Sequence, residues 1–376
     1  MDIIIIGVTD NRKEILSDIS EQCRIVGYAD IKNKLRPFSS FDYVPYYEIA
    51  SIKSISFDYI VIGYKNRFDI QTAKDELKNA GLSINNIIEY QFYKETLCID
   101  QLKSFSNTNQ RFDIFLFGMS HSQCSIQPQY FTQRLFKFAA PSMDLFCQEK
   151  IVNSLVTEHL ESISLAKRIV FELPYYIFNF DLSRFRQFVL NRIYYFYCFS
   201  DYHHFGDNNA DQELIVHFKN FVKVFDRDSR SDKFTLNKDY DSDLTKDIIS
   251  KAKRIAHEIL RQKEILCFKD DVWFKNYETT QKENHDLWNS IVRQIKKANP
   301  TVKINVLVCP FDPLFRKLYK KQIEEKKKQF YSLIGDIEII DNFSINDKYR
   351  FVDHCHLKTE SGIRYTQLIR KQLEDI

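Results

Sequence analysis

The sequence predicts an α/β protein with two domains, each a parallel β-sheet flanked by helices. Three observations point there. Short aliphatic or aromatic runs alternate with segments of helical apolar spacing, the pattern of βαβ units. A chain of 376 residues is far longer than a typical domain, so more than one core is expected. The tract Lys103 to Gln110 is polar and aperiodic, and it interrupts two self-contained βα series. It reads as a linker between domains of residues 1–102 and 111–376.

In the first series, Ile3 to Ile6 is a buried strand ending at Gly7, and Lys13 to Gln22 has helical spacing. Cys23 to Asp30 is a second strand with an acidic residue at its carboxyl end. Phe57 to Gly63 is a third, followed by a helix over Asp69 to Ala80 that Gly81 stops. This is a Rossmann-like module. Gly7 stands where a dinucleotide fold places its phosphate loop, and Asp30 lies about the right distance on for a ribose contact. The local sequence Gly7-Val8-Thr9-Asp10-Asn11-Arg12 lacks the second and third glycines of the fingerprint. Nucleotide or sugar-nucleotide binding and a docking or structural role both stay open. No nicotinamide, flavin or other tightly bound cofactor is expected.

The second series has strands at Phe112 to Phe117, Arg134 to Ala139, Arg168 to Leu173, Lys303 to Val308 and Ile337 to Asp341, then an amphipathic helix over Tyr365 to Leu373. Between the third and fourth strands, residues of about 180–300 are dominated by helical segments such as Thr245 to Gln262 and Thr279 to Ala298. They read as a helical insertion.

Composition narrows the function. With 44% hydrophobic and 28% charged residues, no stretch approaches the ~18 uncharged apolar residues of a membrane span. The start Met1-Asp2-Ile3-Ile4 has no basic segment of a secretion signal, so a cytoplasmic protein is expected. Lys+Arg of 54 against Asp+Glu of 51, interspersed, is not a nucleic-acid footprint. The basic tract Arg316 to Lys328 is broken by Glu324 and Glu325 and suits a solvated helix face. The cysteines Cys23, Cys98, Cys124, Cys147, Cys198, Cys267, Cys309 and Cys355 form no C-x-x-C pair and read as thiols in a reducing compartment.

Two segments carry chemistry. Gly118-Met119-Ser120-His121-Ser122 follows an apolar strand, so Ser120 stands at the carboxyl edge of a parallel sheet, where open α/β folds build sites. Its plain alternative is a serine that caps the next helix. Near the chain end, Asp353 precedes His356 by three residues, a spacing that lets the carboxylate hold the imidazole while its other nitrogen faces a serine. Asp353, His354, Cys355 and His356 are also metal-ligand types, which His121 or His203-His204 would have to complete. No metal is the preferred reading, because adjacent loop residues point in opposite directions. The aromatic run Tyr194 to Phe199 reads as packing.

A strand ending in Gly-x-Ser, paired with Asp-x-x-His-Leu before a terminal helix, resembles the SGNH (GDSL-type) hydrolase superfamily over residues 110–376. The resemblance implies a three-layer α/β domain, Ser120 as nucleophile and His356 and Asp353 as its partners. It also implies an oxyanion hole from the backbone N–H of Ser120 and of a residue after the second strand, where Ser142 matches by position. The sequence departs from the family at Met119, usually acidic, and at Phe171-Glu172-Leu173-Pro174, which lacks the expected Gly-x-Asn-Asp; Asn179 is the nearest substitute. The first module resembles the N-terminal Rossmann-like domains of bacterial glycan-modifying enzymes. Together these imply an O-acyltransferase or esterase of cell-surface polysaccharide biosynthesis, with a carbohydrate or sugar-nucleotide substrate and acetyl-CoA as candidate donor. The alternative is a non-catalytic scaffold of a glycan-synthesis complex.

Overall fold

The computed structural model describes residues 1–31, 40–41, 43–83, 86–90, 101–108, 110–184, 201, 203–204, 220, 223–225, 258–266, 268, 274–345 and 348–374. They fall into two compact units: Met1–Asp100 with Val189–Phe234, and Gln101–Phe188 with Thr235–Ile376, each counted over its described residues.

The first unit is a sheet of β1 (Asp2–Ile6), β2 (Arg24–Asp30), β3 (Ser40–Phe41), β4 (Val44–Glu48), β5 (Tyr59–Ile62) and β6 (Ile87–Glu89), in the order β3-β4-β2-β1-β5-β6. Every pairing is parallel except β3 with β4. β1 is aliphatic without alternation because both its faces are covered: Ile3 and Ile5 join one core with Ile15 and Tyr28, and Ile4 and Ile6 another with Ile60 and Leu77.

The first helix spans Val8–Asp18, earlier than its spacing predicts. Gly7, at φ 83°, turns the chain straight out of β1, and Ile19 is already extended and bridges Phe225. The helix Arg67–Asn79 starts on Asn66, whose side chain accepts from the Phe68 N–H. It ends as expected on Gly81, where the Leu82 and Gly81 N–H groups return to the carbonyls of Leu77 and Lys78.

A Cβ on Gly7 would stand 2.7 Å from the Tyr64 ring. The Tyr64 hydroxyl donates to Asp30, as does that of Tyr46 at 2.7 Å. Asp30, 2% exposed, is therefore bonded inside the protein. Val224 and Phe225, within the segment read as an insertion of the second domain, are core residues of this first unit.

The second unit is built on β7 (Ile114–Gly118), β8 (Leu135–Ala139), β9 (Arg168–Glu172), β10 (Lys303–Val308) and β11 (Glu338–Asp341). All pairings are parallel, in the order β11-β10-β9-β7-β8. Alternation along β7 feeds two layers. Ile114 and Leu116 pack with Tyr365, Ile369 and Leu373 of the terminal helix Thr359–Glu374. Phe117 stacks on Phe171 at 4.8 Å, and Phe171 meets the edge of Trp288 on the helix Glu278–Ala298. Helices cover both faces, which makes three layers.

The tract read as a linker is placed differently: Gln101–Ser106 is helical. Its one large apolar residue, Phe105, is 3% exposed and packs on Phe115, Phe136 and Phe138, which anchors the turn to the second sheet. Of the helix expected over Thr245 to Gln262, residues 258–266 are helical and the rest lie outside the described residues, as do the run Tyr194 to Phe199 and Cys98, Cys198 and Cys267. Among the described residues no helix is long and apolar enough to cross a membrane.

Trp288 is 1% exposed and its indole N–H donates to Ile334 O at 3.0 Å. Trp288→Ala leaves both a cavity and an unpaired carbonyl, and is expected to cost about 3–5 kcal/mol, read from the urea unfolding midpoint.

Candidate active site

Because β7 is paired in parallel with β8 and β9, the carboxyl ends of all three strands meet at one edge. Gly118 ends β7, Met119 is extended, and the short helix Ser120–Ser125 begins at once. Glycine is needed at 118 for close approach: a Cβ there would overlap Ser122 Oγ and stand 2.8 Å from Glu172 Cβ. The helix start carries no side-chain cap. The Ser120 hydroxyl is engaged instead with His356.

Ser120 Oγ lies 2.7 Å from His356 Nε2, and His356 Nδ1 lies 2.5 Å from Asp353 Oδ2. The carboxylate can only accept, so Nδ1 carries the hydrogen and Nε2 is left to accept from the serine. Asp353 Oδ1 also accepts the Cys355 and His356 N–H groups, each at 2.8 Å, which folds the Asp-x-x-His turn back on itself. The turn is closed at its base by the Phe351–Leu357 bridge and by the Val352 N–H to His356 O at 2.8 Å. Phe351 and Leu357 are buried in the core below. His356 remains 27% exposed, so the imidazole is reachable from solvent.

Burial alone would raise the Asp353 pKa, but the His356 hydrogen bond and charge, with the Cys355 N–H, hold it well below the ordinary carboxylate range. Cys355, 2% exposed, is pushed well up by burial and by Asp353, so its thiol stays protonated. A hydroxyl bonded to an imidazole, whose far nitrogen is held by an ionised carboxylate, can lose its proton to that imidazole on attacking a carbonyl.

His354 faces away from Ser120. Its ring lies against Phe268 at 4.9 Å and Phe315 at 5.3 Å, and its Nδ1 is 3.4 Å from Glu264. Donor atoms of His121, Cys355 and His356 lie within 4.8 Å of one another, but His356 is held by Ser120 and Asp353 and His121 by Glu172. The His203 and His204 rings lie 4.1 Å apart, tilted by 43°, and belong to the first unit.

Ser142 lies in the loop leaving β8, two residues past Ala140, whose N–H donates to the Gly118 carbonyl at 3.2 Å. Its φ of 58° is left-handed, a conformation that favours glycine. Asn179 is 1% exposed; its Nδ2 donates to Gln329 Oε1 and its Oδ1 accepts the Tyr277 N–H. No hydrogen bond among the described residues joins it to Ser120, His356 or Asp353.

Two buried charges escaped the sequence reading. Glu172 is 0% exposed at the end of β9, and it meets the Met119 N–H at 2.8 Å and His121 Nδ1 at 3.0 Å. Lys137 on β8 is 6% exposed and donates to the carbonyls of Gln123 and Ile126, at the carboxyl end of the serine helix. Burial pulls its pKa down to about 8. The signal for both was a charged residue inside a run otherwise apolar enough for a sheet core.

No protein-family model and no curated protein matches the chain. Among solved structures it is weakly similar to a lipase from a goat rumen metagenome, with TM-score 0.32 and 8% identity over 70% of this chain and 95% of that one. A Streptococcus pneumonia protein described as a platelet activating factor gives TM-score 0.33 and 10% identity over 83% and 99%.

An aspartate held low in the folded state stabilises above its unfolded pKa of about 3.9 and loses that contribution as pH falls toward the folded value. Asp353→Asn is thus expected to lower the melting temperature near neutral pH. Its gap from the wild type should close below about pH 4, as followed by thermal unfolding across pH.

Proposed function

We propose that the second unit is an SGNH-like acyl-transfer enzyme, an O-acyltransferase or esterase in which Ser120 is the nucleophile. The observation that carries this is the unbroken hydrogen-bond chain Ser120–His356–Asp353 at the carboxyl edge of a parallel sheet. Ser120 Oγ attacks the acyl carbon while His356 Nε2 takes its proton. The tetrahedral oxyanion is met by the backbone N–H groups of Ser120 and Ser142. Collapse breaks the bond to the leaving group, which receives the proton from His356, and leaves an acyl ester on Ser120. A water or acceptor hydroxyl, deprotonated by His356, then releases the acyl group and restores Ser120. Asp353 fixes the imidazole tautomer and offsets its positive charge during both halves.

Beside the site, Tyr176 reaches Met119 Sδ at 4.0 Å and Phe311 lies 5.3 Å from the His121 ring. Both line a narrow apolar cavity with Phe343 and Ile323. A glycan or sugar precursor as acceptor, acetyl-CoA as donor and a place in cell-surface polysaccharide biosynthesis follow from the SGNH resemblance and from the Rossmann-like module before it. A non-catalytic scaffold is the second reading, favoured by the commitment of Asn179 to Gln329 and Tyr277. A serine-directed phosphonate separates the two, because an active site labels at Ser120 by peptide mapping and a scaffold takes up nothing.

Ser120→Ala and His356→Ala should each lower hydrolysis of a short-chain aryl ester by about 10³-fold or more, with the double variant little worse than either. Asp353→Asn is expected to cost less. Steady-state kinetics on folded protein check this, and unchanged turnover in Ser120→Ala would end the covalent mechanism.

A further inference from the structure

We propose that Glu172 is a positioning residue that sets the orientation of Ser120 from beneath, an inference that rests on the acyl-transfer reading above. Its carboxylate is 0% exposed, and burying an unpartnered carboxylate costs several kcal/mol. The partners that offset this cost lie on both sides of the nucleophile. The Met119 N–H donates to Oε2 at 2.8 Å, the Ser122 hydroxyl reaches the same oxygen at 3.2 Å, and His121 Nδ1 meets Oε1 at 3.0 Å. Residues 119, 121 and 122 are thus tied to one side chain, and the residue between them is Ser120.

Gly118 gives an independent observation. A Cβ at that position would stand 2.8 Å from Glu172 Cβ and 2.9 Å from Oε2. No left-handed φ requires the glycine of Gly-Met-Ser; it admits the Ser122 hydroxyl and the Glu172 carboxylate under the turn. The consequence reaches the imidazole too. His121 Nδ1 is held at Glu172 Oε1, and the His121 ring stands 5.6 Å from that of His356. No hydrogen bond among the described residues joins Glu172 to Ser120 Oγ or to His356, so it acts by holding the peptide from which Oγ projects. Displacement of a reacting group by about 1 Å costs on the order of 10² in rate.

The test compares Glu172→Gln with Glu172→Leu, and His121→Asn with His121→Leu. It reads kcat and KM on a short-chain aryl ester, the rate of Ser120 labelling by a fluorophosphonate, and the melting temperature. Gln still accepts the Met119 N–H but turns an amide donor on His121, so kcat should fall about tenfold, with KM within about twofold. Leu removes every bond, and kcat and labelling should fall together by about 10²-fold or more, with KM within about threefold. Asn can still donate to Glu172 from near the Nδ1 position, so His121→Asn should keep kcat within about threefold of wild type, while His121→Leu loses about tenfold or more.

A folded Glu172→Leu with wild-type kcat and labelling rate overturns the inference. If that variant does not fold, wild-type kcat in both Glu172→Gln and His121→Leu overturns it equally. Wild-type protein that takes up no label, or Ser120→Ala that keeps full turnover, overturns the acyl-transfer reading itself and this inference with it. Labelling that is lost in Ser120→Ala but unchanged in a folded Glu172→Leu leaves that reading standing and rejects only the role of Glu172.

Discussion

The parallel pairing of Ile114–Gly118 with a strand on each side is the constraint on which the second unit depends. Parallel strands all end at one edge, so whatever follows Gly118, Ala139 and Glu172 must gather there. The terminal helix packs on the same sheet through Tyr365, Ile369 and Leu373, which draws the Asp353–His356 turn in from the far end of the chain. Ser120 and His356 are 236 residues apart in sequence and 2.7 Å apart in space. Loop-closure entropy grows only with the logarithm of length, so the sheet's own pairing energy can hold so distant a contact.

The charges at and behind that edge are each met by several partners. Glu172 is neutralised in effect by donors from three neighbouring residues, Lys137 by two carbonyls at a helix end, and Asp353 by two backbone N–H groups and an imidazole. In a low-dielectric setting each of these bonds is stronger than in water, and each partner lost would cost correspondingly more. Glu172 is bonded to residues on both sides of Ser120 and Lys137 to the carboxyl end of the helix that Ser120 begins, while the His356 side chain stays 27% exposed.

The first unit applies the same architecture to another end. Its strand β1 turns out through a left-handed Gly7, as a phosphate-binding sheet would, but the space over that glycine holds the Tyr64 ring. Asp30, at the end of β2, accepts from Tyr64 and Tyr46. Tyr64 thus occupies both positions that the sequence offered to a nucleotide, its ring over Gly7 and its hydroxyl on Asp30.

Local sequence determined much of this. The strands, the terminal helix, the Gly81 stop, the α/β class, the Asp-x-x-His turn and the place of Ser120 just past a strand rest on periodicity and spacing, which are properties of neighbours along the chain; the meeting of Ser120 with His356 is not. Tertiary structure alone decided the rest. Phe105 turned a polar tract into a helix because a cluster of phenylalanines from other strands received it, and Val224 and Phe225 went to the first core because Ile19 and Tyr90 offered them a surface. Glu172 and Lys137 looked like breaks in apolar strands. Their meaning lay in donors and acceptors contributed by residues dozens of positions away, and no period in a sequence records which distant backbone groups will be left needing a partner.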